Sequence, residues 1–137
     1  MALRRRQQRL YRTTVKLWRL KVDGVNSVIT SSYEALPGTF KCLRHDKVQL
    51  NMAEGAQARS PHPNVVNYLE FHFSAEDMTG DNRPDDLWVA QDVTVGAPTN
   101  GQYYLFKGRP SISTRLNVLA IAADTIEEKD LPEGIVV

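Results

Sequence analysis

Along this chain apolar residues recur in short alternating runs separated by turn signals, a pattern of strands. Thr13 to Val22 reads Thr-Thr-Val-Lys-Leu-Trp-Arg-Leu-Lys-Val, and its β-branched and aromatic content predicts a strand closed by Asp23-Gly24. Ser27 to Tyr33 predicts a second short extended piece, Pro37-Gly38 a turn, and Thr39 to Leu43 a further strand. From Val65 to Phe73, one face holds Val65, Leu69, Phe71 and Phe73, with Asn67 the exception, and the other holds Tyr68, Glu70 and His72. Leu87, Val89, Val93 and Val95 then share a strand face, and Gly96-Ala-Pro98 closes that run. Asn100-Gly101 fits a tight turn, Tyr103 to Lys107 a strand, and Gly108-Arg109-Pro110 a bend. The last alternating stretch, 115–123, puts Leu116, Val118 and Ala120 on one side and Leu119 and Ile121 on the other. Apolar side chains on both faces predict a central strand, or one covered by a neighbouring subunit.

Several closely spaced short strands predict a mainly β fold, a small barrel or sandwich. The segment Arg44 to Asn64 has the weakest pattern; its Val48 to Ala58 portion reads as a short helix or a long polar loop, which Pro61 and Pro63 end. The expected organisation is a basic N-terminal arm over 1–12, one β-barrel domain over 13–123 with a projecting loop at 45–64, and an acidic C-terminal tail over 124–137. A length of 137 residues suits a single core. The longest apolar stretch, Val118 to Ala123, is strand-sized, so no membrane helix and no signal peptide are expected. Cys42 is the one cysteine, which excludes an intrachain disulfide; it is expected to be a small buried hydrophobe.

Charge changes this picture more than composition does. The net charge is +1, yet residues 1–21 hold Arg4, Arg5, Arg6, Arg9, Arg12, Lys16, Arg19 and Lys21 and no acid. The remaining residues hold nine bases and sixteen acids, a formal charge of −7. Glu76, Asp77, Asp81, Asp85, Asp86 and Asp92 crowd together with only Arg83 to offset them. Such segregation shapes encounter and assembly. The basic segment has three readings: a solvated arm, a protein interface, or a nucleic-acid contact in which phosphates meet the cations and bases stack on Trp18 and Tyr11.

Motifs for catalysis are missing from the sequence. His45, His62 and His72 lack ligand spacing, and the acidic 76–86 segment lacks the periodic carboxylates and final glutamate of a calcium loop. Ser31-Ser32 and Ser111 to Thr114 lack nucleophile contexts, and no phosphate-binding or dinucleotide fingerprint occurs. The expectation is therefore a non-enzymatic protein with no cofactor and no metal. The expected contact residues are the arginines at 4, 5, 6, 9 and 12, Trp18, Glu76, Asp77, Asp81, Asp85, Asp86, Tyr103 and Arg109, because Tyr103-Tyr104-Leu105-Phe106 cannot hide both faces in a small monomer without another layer.

Residues 69–123 also carry a family resemblance. Leu69-Glu-Phe-His-Phe73, an acidic connection, Asp86 to Val95, Gly96-Ala-Pro98, Gly101 to Pro110 and Arg115 to Ala120 follow one another in an order that resembles the head-completion (stopper, or head-closure) proteins of tailed bacteriophages. Tyr104-Leu-Phe-Lys-Gly-Arg-Pro110 matches their tyrosine-rich hairpin, and Val15-Lys-Leu-Trp-Arg19 is similar to their opening strand. The resemblance implies a virion protein at the head–tail junction, assembled in the host cytoplasm. It implies a homo-oligomeric β-barrel ring, with a portal or adaptor protein above, a tail protein below, and packaged double-stranded DNA in loose proximity. It further implies that 45–64 projects into the channel as a plug. The arginine-rich start and the acidic 76–86 loop depart from the pattern and keep adaptor and tail-terminator roles open. A small-barrel nucleic-acid-binding module remains the alternative class.

Overall fold

The computed structural model describes residues 11–25, 28–51 and 64–135. Seven antiparallel strands form the fold: β1 (Thr13–Val25), β2 (Val28–Ala35), β3 (Phe40–Asn51), β4 (Asn64–Ser74), β5 (Val89–Asp92), β6 (Tyr103–Ser113) and β7 (Val118–Ile126). Short 3₁₀ turns lie at Gly80–Asn82 and Glu128–Asp130. The order β1-β3-β4-β7-β6-β5 closes through a β1–β5 pairing, so six strands make a barrel and β2 adds to β1 outside the ring. The mainly β expectation holds, and the architecture is a barrel.

Alternation sets the core. Val15, Leu17, Cys42, Phe71, Phe73, Ala90, Tyr104, Phe106, Leu119 and Ile121 are buried in one cluster. Phe71 sits at its centre, edge-on to Tyr104 at 4.9 Å and 5.7 Å from Phe106, in geometries that favour the aromatic quadrupoles. Burying each such side chain contributes about 1.5–3 kcal/mol. Cys42 has no exposure, and burial, with the nearby Asp92 charge adding, pushes its thiol pKa far up.

Two ribbons leave the barrel. β1 pairs with β3 over Thr13 to Val15 and with β5 over Val15 to Trp18; beyond Trp18 it has only β2 as a strand partner. β3 and β4 pair from Cys42–Phe73 out to Asn51–Asn64, whereas β4 meets β7 only from Leu69 onward. The segment expected to be loop or helix therefore starts as strand: β3 runs to Asn51, because Leu43 to Leu50 finds a complete ladder in β4. Residues 52–63 lie outside the described residues.

Other boundaries also moved. β1 continues through Asp23-Gly24, which pair with Thr30 and Ile29. The expected strand through Leu87 to Val95 shrinks to Val89–Asp92: Leu87 has φ 66°, a left-handed backbone that ends extension, and Val95 is exposed. β6 does not stop at the expected bend; Gly108, at φ 79°, supports an irregularity between Lys107 and Ser111, and pairing resumes. β7 starts three residues later than expected, leaving Leu116 exposed in the turn.

The outward side of β6 is covered by the chain itself. Trp18, Val89 and Tyr103 form a second buried cluster, packed against Tyr33, Leu105, Ile126, Leu131 and Ile135. The stretch read from sequence as an acidic tail thus contributes Ile126 to β7 and two apolar side chains that lie over this cluster.

Candidate functional site

The acidic connection between β4 and β5 is anchored at both ends and in the middle. The Ala75 amide donates to the Asn117 carbonyl at 3.1 Å, and the Glu76 amide to Asn117 Oδ1 at 3.0 Å. Asn117, at φ 54°, also donates through Nδ2 to Ser74 Oγ. Midway, Arg19 donates to the Asp81 carbonyl at 3.1 Å. Toward β5, Asp86 Oδ1 accepts from the Gly108 amide at 2.8 Å, and the Leu87 amide donates to the Phe106 carbonyl at 2.8 Å. The Leu87 carbonyl accepts from the Tyr33 hydroxyl at 2.7 Å. Met78, Pro84 and Trp88 are buried beneath. Glu76, Asp77, Asp81, Asp85 and Asp86 are all exposed, so the acids expected from sequence stand together on a loop held to β1, β6 and the β6–β7 turn.

The basic expectations are placed differently. Arg4, Arg5, Arg6 and Arg9 lie outside the described residues, and Arg12 is exposed at the start of β1. Tyr11, just before it, is buried and lines a hollow of about 430 Å³ with Thr39, Phe40, Lys41, Ser74, Asp77 and Met78. Its hydroxyl has no hydrogen-bond partner among the described residues, and burial, then Cys42 and Asp77, raises its pKa. Trp18 is 3% exposed, with the Lys16 ammonium 5.0 Å from its ring centroid and the Tyr103 ring 6.3 Å away. Neither Tyr11 nor Trp18 presents an open face for a base. Tyr103 is likewise buried within the chain, because β2 and the 131–135 segment supply the layer that sequence reasoning assigned to a neighbour. Arg109 is exposed at the β6 irregularity.

The fold also assembles groups that sequence reasoning had not joined. Asp92, counted there with the crowded acids, is 1% exposed. Its Oδ1 accepts from the Thr94 amide at 2.8 Å and its Oδ2 from the Thr99 hydroxyl at 2.6 Å, so it organises the β5–β6 turn. Arg44 lies over the Tyr104 ring, 5.4 Å from its centroid, and 3.7 Å from Asp46. On the barrel exterior His45 and His72 stack at 5.7 Å, and Glu70 bonds His72. Among the described residues, no group of three or more His, Cys, Asp and Glu could hold a metal ion.

Exposed apolar side chains concentrate on the β1–β2 ribbon. Val22 and Val28 are each 60% exposed and Ile29 is 78% exposed. Ile29 stands opposite Gly24, where no side chain covers it. The polar neighbours Thr30, Ser31 and Ser32 hid this signal in the sequence, since a lone Val-Ile pair in a polar run carries no period. A scan against protein-family models finds no match to the chain, and a search of curated proteins finds none either.

Proposed function

We propose that this chain is a structural connector subunit of a tailed-phage neck, in a ring that sits under the portal, closes the DNA-filled head and offers a docking surface to the tail. The observation that supports the reading best is a closed barrel from which two ribbons project, next to an acidic loop anchored on the barrel wall. A ring subunit must meet its neighbours through two different, complementary surfaces. A closed barrel has no sheet edge of its own, so it keeps its shape while the projecting edges and charged surfaces make contacts. The resemblance of Val15 to Arg19 and Tyr104 to Pro110 points to the same class, with those residues in β1 and at the β6 irregularity.

In this reading the β3–β4 ribbon faces the channel. Net negative charge outside the first 21 residues suits a channel that holds DNA and later releases it, because DNA phosphates gain little by binding there. Adaptor and tail-terminator roles share these features and differ in which neighbours the ring meets.

The test is to shorten the ribbon in assembling particles by replacing 48–67 with a short turn. The barrel pairings start at Leu69 on β4, so the shortened protein is expected to fold and join particles. Heads are then expected to lose DNA. Heads that carry the shortened protein and stay filled overturn the channel role, and imaged necks lacking this protein overturn the connector reading as a whole.

A further inference from the structure

The ribbon of β1 and β2 carries two unpaired sheet edges on one element. From Arg19 to Val25, β1 is paired with β2 and no other described strand; β2, from Val28 to Ala35, is paired among the described residues only with β1. The outer edge of each strand presents backbone N–H and C=O groups, a template for another strand. Monomeric proteins blunt such edges with proline, lysine or a bulge. β2 reads Val-Ile-Thr-Ser-Ser-Tyr-Glu-Ala, without proline or lysine, and its register with β1 is unbroken. Its one charge, Glu34, is bonded to Arg19 at 2.7 Å.

We propose that this ribbon is the contact between copies of the chain, with β2 of one copy pairing edge to edge with β1 of the next. In a rotationally symmetric ring, ribbons running along the axis all point the same way. The returning β2 of one copy then lies antiparallel to the outgoing β1 of the next, which is the better ladder. Symmetry repeats the register found within the ribbon: Glu34 comes to Arg19 of the next copy, Ser32 to Lys21, and Ile29 to Gly24. The charges are complementary, since β1 here holds Arg19 and Lys21 against Asp23, whereas β2 holds Glu34 alone. Ile29 and Val22, which share one face, become diagonal cross-strand neighbours between copies, and such pairs supply the stabilisation. The two edges differ, so the contact is heterologous and propagates until rotation closes it. The ring geometry rests on the connector reading; the pairing of two copies does not.

The experiment uses the full chain. Sedimentation velocity across a concentration series is expected to show the wild type as a discrete oligomer. Ile29→Lys and Val22→Lys are expected to shift it toward monomer by at least tenfold in concentration, with the far-UV circular dichroism spectrum unchanged because both side chains are exposed in the single chain. A chain carrying Lys21→Cys, mixed with a chain carrying Ser32→Cys, is expected to give a disulfide-linked dimer that neither gives alone; Cys42 is buried and does not compete. A wild type that stays monomeric overturns the proposal, as does an Ile29→Lys protein that assembles like the wild type, or a mixture that does not cross-link. A monomer that still docks on DNA-filled heads overturns the strand pairing and leaves the connector reading standing. An edge-paired oligomer that ignores heads supports the pairing and overturns the connector reading.

Discussion

The carboxylate of Asp92 accepts from the Thr94 amide and the Thr99 hydroxyl inside the β5–β6 turn, away from water. Asp92→Ala leaves both donors without their acceptor, and an unsatisfied buried donor costs about 1–3 kcal/mol. The unfolding free energy is expected to fall by that amount, read as a lower denaturant midpoint with an unchanged slope. Asp92→Asn is expected to lose less, since its carbonyl still accepts from Thr94 and the Thr99 hydroxyl can rotate to accept from the amide. Glu34 shows the other kind of charged residue, exposed and paired. Its hydrogen bond from Arg19, then the charges of Arg19 and Lys21, hold its carboxyl below the ordinary glutamate range. A depressed folded-state pKa means the pair's contribution is present above the unfolded-state value and disappears as pH falls through the folded-state value. Arg19→Met is expected to move the Glu34 midpoint back up in an NMR titration of its carboxyl; an unmoved midpoint shows that the pair does not form. At this scale the sequence was least legible: Asp92 and Asp86 look alike in a run of acids, and only the path of the chain buries one and exposes the other.

Among the elements, the segment after β7 shows how position overrides composition. Glu127, Glu128, Asp130 and Glu133 make it read as an acidic tail, yet Leu131 and Ile135 pack against the Trp18, Val89 and Tyr103 cluster. Two apolar residues in an acidic stretch produce no periodicity, so the sequence carried no visible sign of the docking. Leu131→Asp places a charge against this cluster and is expected to lower stability by about 1–3 kcal/mol. Easier acrylamide quenching of tryptophan emission should accompany the loss; unchanged quenching and stability show that the segment does not cover Trp18. β4 was well anticipated because Leu69, Phe71 and Phe73 alternate against one interior. Segment 45–51 was not, because no local period announces it and its ladder is made with β4 alone.

For the whole molecule, alternation in Val15, Leu17, Phe71, Phe73, Tyr104, Phe106, Leu119 and Ile121 was enough to determine that the chain folds as β-sheet around one core, and where most strands lie. Charge order along the chain likewise determined that a cationic start and an acidic β4–β5 loop coexist, since neither depends on contacts. Closure was decided by tertiary structure alone. The β1–β5 pairing joins residues more than seventy positions apart, and a period of two says which face a side chain takes but not which strand lies beside it. Tertiary structure also decided which surfaces stay open, covering Tyr103 and Trp18 on the outer side of the barrel and leaving Val22, Val28 and Ile29 exposed. The reason is geometric: a side chain's exposure depends on what the rest of the chain brings to it, and local sequence specifies only its direction.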